Sequence, residues 1–304
     1  MPLSRFKNIL PLLAVLGSVT ALGIGTSYAK HLFPLIGAQG TITLRVGFSA
    51  LLLVALWRPW RWSLAGADRR AVVLYGVSLG LMNLLFYMSL RTIPFGLAVA
   101  IEFTGPLAVA IWSSRKRTEF VWLALAIIGL ALILPIGSGS GTSSGSSSAQ
   151  QLDPAGVAYA LAAAVCWGAY IVFGKRLSHL HAGHSVALGL TVGAITVFPV
   201  GVWHAGAALL DPYVLLYGLG VAAVSSAIPI SLEMMALKRL PQGTFGIMTS
   251  TEPAVAALLG VWLLNEHLSG LQWLAIVCIM GAAAGSALTG QNRNDHDEAS
   301  NVLM

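Results

Sequence analysis

Ten runs of mainly apolar residues follow one another along this chain of 304 residues and leave little sequence outside them. Each is about 20 residues long, the length that a helix needs to cross about 30 Å of hydrocarbon. None shows the alternation over about 10 residues that marks a strand of a membrane barrel. We therefore expect an all-α membrane protein whose ten transmembrane helices lie near residues 9–29, 38–57, 71–90, 94–113, 119–137, 154–174, 183–203, 212–237, 244–264 and 270–289.

The composition agrees with this prediction. Hydrophobic residues make up 57% of the chain and charged residues 9%, against about 25% charged residues in ordinary soluble domains. The first run follows Arg5 and Lys7 and could belong to a signal peptide. It is longer than the apolar segment of about 7 to 15 residues that such peptides contain, so we expect an uncleaved helix.

The basic residues indicate the orientation of the helices, because cytoplasmic loops are enriched in lysine and arginine. With the amino terminus in the cytoplasm, Lys30 and Arg91 lie outside and Arg45 lies within a helix. The inner side then collects Arg5, Lys7, Arg58, Arg61, Arg69, Arg70, Arg115, Lys116, Arg117, Lys175, Arg176, Lys238, Arg239 and Arg293. This asymmetry predicts that both termini are cytoplasmic. It also explains the net charge of +6 without a nucleic-acid partner and favours contact with membrane lipid.

A Gly/Ser-rich segment divides the chain into two halves that resemble each other. SLRTIPFG at 89–96 aligns with ALKRLPQG at 236–243, and Pro106 aligns with Pro253 at the same offset. Each half holds five predicted helices, an odd number, so the second half enters the membrane from the opposite side. We expect two inverted-topology repeats at 9–137 and 154–289, a linker at 138–153 and a cytoplasmic tail at 290–304.

Three stretches resemble a known family: FYMSLRTIPFGLAVAIEFTGPLAVA at 86–110, PISLEMMALKRLPQGTFG at 229–246 and STEPAVAALLG at 250–260. They are similar to the bacterial inner-membrane threonine and homoserine exporters, in the ten-helix EamA branch of the drug/metabolite transporter superfamily. The resemblance implies a secondary active exporter of small amino acids that works by alternating access and proton antiport. Export of another metabolite or a drug stays open, because a fold does not determine its cargo.

Four ionisable residues fall inside the predicted helices: Arg45, Glu102, Glu233 and Glu252. A charge in mid-membrane costs about 2.5 kcal/mol or more, so such residues usually face a protein interior or a water-filled cavity. An amino acid carries a carboxylate that an arginine can bind and an ammonium that a glutamate can bind. We expect these residues to bind substrate or couple protons. The alternative is a buried ion pair between Arg45 and Glu102 that only fixes helix packing.

Several neighbours of these charges are also candidates. Pro106 and Pro253 are expected to break their helices, because proline removes a backbone hydrogen bond and frees carbonyl groups. Asn83 and Tyr87 share one face of the third predicted helix and are expected to face the transport pathway. Trp167 and Tyr170 in the sixth helix either line that pathway or belong to an interfacial aromatic belt; the depth of Trp167 favours the pathway.

Other classes of function find little support. An intramembrane enzyme needs a catalytic group such as H-E-x-x-H at membrane depth, and ATP-driven pumping needs a Walker A motif; the sequence contains neither. His179, His181 and His184 could bind a metal, but a solvated loop is favoured, so we expect no metal or cofactor. Cys166 and Cys278 are interpreted as packing residues.

Two further interpretations concern the last helices. Gly281 and Gly285 form a GxxxG pattern in the tenth predicted helix. Such a pattern lets helices approach closely, and we favour packing within one chain and a monomer. Glu266 lies at the outer edge of the membrane and is expected to be solvated.

Overall fold

The described part of the chain is built from α-helices. The computed structural model describes residues 3–58, 66–114, 119–133, 152–237, 239–240 and 242–302, and the regular structure in these ranges is helical. The α-helices are α1 (Leu3–Ala29), α2 (Phe33–Trp57), α3 (Gly66–Ser89), α4 (Phe95–Glu102), α5 (Thr104–Ser114), α6 (Glu119–Ile133), α7 (Pro154–Arg176), α8 (Ala182–Ala205), α9 (Pro212–Ala222), α10 (Ile228–Leu237), α11 (Gln242–Thr249), α12 (Glu252–Leu263) and α13 (Gly270–Val302).

Eight helical stretches in the described ranges are long and apolar enough to cross a membrane. The longest joins α1 and α2 in a run of 48 residues, and Phe120–Ile133 in α6 is apolar but shorter than a span. The eight are Leu10–Trp57, Asp68–Ser89, Phe95–Trp112, Pro154–Arg176, Gly183–Leu210, Pro212–Glu233, Thr244–Leu263 and Gly270–Thr289. The prediction of an all-helical membrane protein is thereby confirmed.

The outside of the bundle is apolar. Trp112 and Trp203 are 87% and 92% exposed, and Leu56 is 68% exposed. Contiguous apolar surface of this kind is unusual on soluble monomers. Lipid tails are as apolar as these side chains, so the surface suits a bilayer.

A bend separates α1 from the main part of α2. Lys30–Leu32 form a 3-10 turn, and Gly37 within α2 has φ +68°, a left-handed conformation that glycine adopts without a steric penalty. A Cβ atom on Gly37 would also lie 2.7 Å from Cδ2 of His204 in α8. The backbone conformation therefore favours glycine here, whereas the His204 side chain is exposed and can move aside.

Two predicted helices are broken in the middle. The fourth is divided at Phe103 into α4 and α5, with Pro106 in the first turn of α5. The ninth is divided at Ser250 and Thr251 into α11 and α12, with Pro253 in the first turn of α12. A proline inside a helix removes one hydrogen bond and its ring clashes with the carbonyl group four residues earlier. Each break therefore has a local cause in the sequence.

The helices pack mainly across the two halves of the sequence. α2 packs against α8, α3 against α7 and α8, α6 against α13, α1 against α10, and α4 against α12. The largest buried cluster draws on helices before and after residue 150, including Tyr87, Leu97, Ile101 and Ile276. The four smaller buried clusters also draw on both halves, so neither half of the described chain has a core of its own.

Glycines mark the closest helix contacts. Gly76 and Gly80 of α3 lie against Gly189 and Gly193 of α8. In α13, Gly281 lies against Leu125 and Gly285 against Trp122, both in α6. The GxxxG pattern is used for packing within this chain.

α13 continues to Val302 through most of the predicted tail, and the segment after Gly290 contains no glycine or proline that would end a helix. One predicted feature differs in the structure, and one lies outside it. Glu266 is not solvated, as described below. Residues 134–151, which include most of the predicted linker at 138–153, lie outside the described residues.

Candidate functional site

Arg45 lies near the middle of α2 and is 8% exposed. Its Nε donates to Ser225 Oγ at 2.9 Å and its Nη1 to Asn83 Oδ1 at 3.2 Å, while the guanidinium carbon lies 5.4 Å from the centre of the Tyr87 ring. Within the described ranges, no carboxylate forms an ion pair with Arg45. The alternative of an Arg45–Glu102 ion pair is therefore not found, because neutral groups hold this cation.

A π-helical turn at Ala223–Ala227 separates α9 from α10 and presents Ser225 to Arg45. Pro229 has no N–H group, so it cannot donate to the carbonyl of Ser225 four residues earlier. That carbonyl instead accepts a long contact of 3.5 Å from Arg45 Nη2. Such π turns occur frequently at functional sites.

The π turn has room because α1 contributes a glycine. A Cβ atom on Gly25 would lie 2.9 Å from both N and Cα of Ser225. A side chain at this position would push α1 away from the turn. Gly25 therefore allows the first half of the sequence to support a site residue of the second.

A cavity of about 410 Å³ begins at this group. It extends from Arg45 and Ser225 to Trp57 and Gly183, at the end of the bundle where α2 ends and α8 begins. Four of the predicted site residues line it: Arg45, Asn83, Tyr170 and Glu233. Most of the remaining wall is apolar.

Glu233 lies on α10 and faces the cavity. Its Oε1 accepts a hydrogen bond of 2.8 Å from the hydroxyl of Ser18 in α1, a residue that is fully buried. Among the described residues no cation forms an ion pair with this carboxyl group. The cavity therefore presents a guanidinium and a carboxyl group to the same space.

Glu102 and Glu252 lie at the two helix breaks, behind the cavity wall. Glu102 is the last residue of α4 and is 7% exposed, and Glu252 is the first residue of α12. Neither lines the cavity. They interact electrostatically with each other and with Arg45, and Glu252 also interacts with Glu233. The four predicted charges are therefore brought into one region, and two of them face the open space.

The predicted aromatic residues take different positions. Tyr170 stacks on Tyr75 of α3 with ring centres 4.7 Å apart, and their hydroxyl oxygens are 3.2 Å apart. Trp167 packs edge-on against Phe103 at the break between α4 and α5, at 5.2 Å. Tyr87 is fully buried beneath Arg45. Only Tyr170 of these three predicted residues lines the cavity.

An ion pair joins two connections at the opposite end of the bundle. Lys30 Nζ, just after α1, lies 2.8 Å from Glu266 Oε1 in the connection between α12 and α13. Glu266 Oε2 accepts a hydrogen bond of 2.8 Å from the Phe95 backbone N–H, at the start of α4. The prediction of a solvated Glu266 is wrong, because this carboxylate has both a cation and a helix start as neighbours.

The histidines and cysteines do not form a metal site within the described ranges. His179 lies 3.2 Å from Asp68, and His181 accepts a hydrogen bond from the Gly183 N–H at the start of α8. Cys166 and Cys278 are free thiols and partly buried.

The sequence indicated one of the three serines of the site, because Ser226 precedes Glu233 by seven residues and shares its helical face. Ser49 and Ser225 also line the cavity but were missed, since a serine in an apolar run is common and gives no signal. Pro229 was the available signal, since a proline frees the carbonyl four residues before it. Applied to Pro229 as it was to Pro106 and Pro253, the same rule points to Ser225.

Helices able to span a bilayer around a cavity with buried charges are the architecture of a membrane transporter. The chain matches the EamA-like transporter family over residues 154–288. It is 45% identical over 280 residues, 92% of either chain, to the threonine/homoserine exporter RhtA of Salmonella typhimurium strain LT2 and of Escherichia coli strain K12. The chain therefore belongs to the EamA-like transporter family.

More distant comparisons agree. The uncharacterized transporter YwfM of Bacillus subtilis strain 168 is 27% identical over 260 residues, 80% of this chain and 81% of its own. One solved crystal structure of a protein has a TM-score of 0.52 at 17% identity and covers 94% of this chain and 97% of the other, a likeness of fold alone. The resemblance inferred from the sequence is confirmed, as is the prediction of a transporter and not an enzyme.

Proposed function

We propose that this protein is a secondary active exporter of small amino acids, threonine and homoserine among them, in a bacterial inner membrane. The observation that carries the proposal is the cavity of about 410 Å³ that presents both Arg45 and Glu233. Its volume is within the range of about 300 to 1,000 Å³ that is typical of small-molecule sites. The named relatives support the choice of cargo.

The hydrogen bonds of Arg45 leave it able to bind a carboxylate. A guanidinium has five N–H groups, and contacts to Asn83 and Ser225 engage three of them. The Tyr87 hydroxyl also interacts with the guanidinium, and an N–H group that remains can donate to the substrate carboxylate. Glu233 then receives the substrate ammonium.

The helix arrangement supports ten spans in two inverted repeats. The run of 48 residues would measure about 72 Å as one straight helix, more than twice the hydrocarbon thickness, so we count it as two spans. With α6 the total is ten. The packing contacts agree with this repeat. If every helix is exchanged for its counterpart in the other half, the contact between α3 and α7 becomes the contact between α1 and α10. The contacts of α2 with α8, α4 with α12 and α6 with α13 are unchanged by the exchange.

The two helix breaks support the same repeat. Thr104 Oγ1 donates to the carbonyl of Ile101 at 2.6 Å, and Thr251 Oγ1 donates to that of Met248 at 2.7 Å. Thr251 and Met248 lie the same number of positions after Thr104 and Ile101 as Pro253 lies after Pro106. Repeats at 9–137 and 154–289 are part of the proposal, and the match of the family to residues 154–288 agrees with the second.

Orientation and coupling complete the proposal. The distribution of basic residues favours a cytoplasmic location for both termini. The cavity then opens to the cytoplasm, and the Lys30–Glu266 ion pair closes the periplasmic end. Glu102, Glu233 and Glu252 are the groups that can carry protons, and the packing of Gly281 and Gly285 within the chain supports a monomer in contact with lipid.

The apolar part of the wall favours a second candidate. Leu53, Leu79, Met82 and Leu190 line the cavity beyond the charged group. They would suit a larger apolar metabolite or drug on the same fold. An apolar amine about as long as threonine distinguishes the two candidates. Inhibition of threonine transport by this amine would favour the second candidate over amino-acid export.

The test is counterflow of labelled threonine in proteoliposomes, with and without a pH gradient. We expect the gradient to increase uptake in the intact protein and to have no effect in Glu102→Gln. Asp211→Asn is the matched control, because it makes the same acid-to-amide change at the exposed start of α9. No counterflow of threonine or homoserine by folded protein would refute the cargo, and a gradient effect that survives in Glu102→Gln would exclude Glu102 as the coupling group.

A further inference from the structure

Two hydroxyl groups lie in the cavity wall beside Arg45 and have no role in holding it. Ser49 of α2 lies one turn beyond Arg45, and Ser226 follows Ser225 in the π turn. Their oxygen atoms are 2.7 Å apart, and both residues line the cavity. The pair joins α2 of the first half to the π turn of the second.

The direction of this hydrogen bond follows from counting protons. The Ser49 oxygen also lies 2.6 Å from the Arg45 carbonyl oxygen, which can only accept. A serine hydroxyl has one proton, so Ser49 donates it to the carbonyl. The proton between the two hydroxyls therefore comes from Ser226.

This arrangement leaves Ser226 as an acceptor towards the cavity. Its single proton is directed to Ser49, and its oxygen accepts no hydrogen bond from another described residue. Ser225 differs, because it donates to the Val221 carbonyl at 2.7 Å and accepts from Arg45 at 2.9 Å. A ligand with a hydroxyl donor can therefore bind at Ser226 while its carboxylate binds at Arg45.

We propose that Ser226, oriented by Ser49, accepts a hydrogen bond from the side-chain hydroxyl of the substrate and so selects hydroxyl-bearing amino acids over apolar ones of the same size. The proposal rests on the proposed function and names the group that determines its specificity. A site that hydrogen-bonds a substrate hydroxyl rejects an analogue without it far more strongly than an apolar pocket rejects one extra methyl group.

The location suits such a substrate. Ser49 follows Arg45 by one helical turn, a rise of about 6 Å along α2. The hydroxyl of a short hydroxy amino acid lies only two or three bonds from its α-carbon, so one small molecule can reach both groups. The apolar side chains near the pair provide no alternative partner for that hydroxyl.

The experiment compares threonine with valine, which replaces the hydroxyl by a methyl group. Counterflow of labelled threonine is measured in proteoliposomes with one unlabelled competitor at a time: threonine, homoserine, valine or 2-aminobutyrate. For Ser226→Ala we expect the preference for threonine over valine to fall by about 2- to 12-fold, the effect of one hydrogen bond. Ser226→Thr keeps the hydroxyl and is expected to keep the preference.

Ser231→Ala is the matched control, because Ser231 is exposed on α10 and does not line the cavity. An unchanged threonine-to-valine preference in Ser226→Ala overturns the proposal. An equal loss for both amino acids, which only a supporting role would produce, also overturns it. Absence of labelled-threonine counterflow in the intact, folded protein, with no inhibition to compare, refutes the proposed function itself, which keeps the two failures distinct.

Discussion

At the scale of single residues, the site depends on a buried arginine that forms no ion pair with any described residue. A buried charge whose partners are neutral keeps its field for a ligand, whereas an ion pair would largely cancel it. Ser225 holds one side of the guanidinium through both its hydroxyl and its carbonyl, and Asn83 holds another. This arrangement fixes the direction of Arg45 and preserves its charge.

The first prediction tests this geometry with Arg45→Lys. Lysine keeps the charge but lacks the planar fork that contacts both groups of Ser225. We expect the apparent KM for threonine to rise at least about 10-fold because the cation is no longer oriented. Arg69→Lys, an exposed position on α3, serves as the control. Equal KM values for Arg45→Lys and the intact protein would show that only charge matters.

At the scale of elements, the π turn connects a proline to the site. Pro229 denies Ser225 a helical donor, and Gly25 of α1 leaves space for the turn. A regular helix here would direct Ser225 O along the helix axis, to an N–H at position 229. The element is therefore irregular where the substrate is proposed to bind.

Replacement of this proline is the second prediction. Pro229→Ala restores the N–H group, so we expect Tm in detergent to stay equal or rise while threonine counterflow falls by about 10-fold or more. Pro199→Ala, at an exposed position inside α8, makes the same change away from the site and is expected to leave transport unchanged. A loss of transport together with a lower Tm in Pro229→Ala would indicate a folding defect and contradict the prediction.

The elements also show how far the sequence could lead. The helices, Arg45 and Glu233 were predictable because apolar runs and charges within them are local signals. Glu102 and Glu252 gave the same signal, yet lie behind the cavity wall, and this difference depends on packing between the halves. The Ser49–Ser226 pair spans 177 residues, and no local pattern indicates which serines meet.

At the scale of the whole molecule, the cavity beside Arg45 extends to one end of the bundle, and an ion pair joins several elements at the other end. The Lys30–Glu266 pair joins the end of α1 to the connection before α13, and Glu266 also binds the start of α4. Three elements are thus held by one carboxylate at that end. In the proposed alternating access, opening of that end requires this pair to separate.

The third prediction follows from that pair. Glu266→Gln keeps an oxygen for the Phe95 N–H but removes the charge, a loss of about 1 kcal/mol that would favour the outward-open state about fivefold. Met82→Cys, at the cavity wall and in a Cys166→Ala, Cys278→Ala background, reports that state by labelling with an impermeant thiol reagent from the periplasmic side. Unchanged labelling would show that the ion pair does not control opening.

The contact between Arg45 and Ser225 also has a consequence for biosynthesis. The two residues are 180 positions apart, so at about 5 to 20 residues per second the ribosome takes about 9 to 36 s to make the second after the first. During that interval, Asn83 and Tyr87 are the site partners that the nascent chain can offer to Arg45. The early helices must therefore tolerate Arg45 in the bilayer with part of its hydrogen bonds unmade, until Ser225 has been synthesised and completes them.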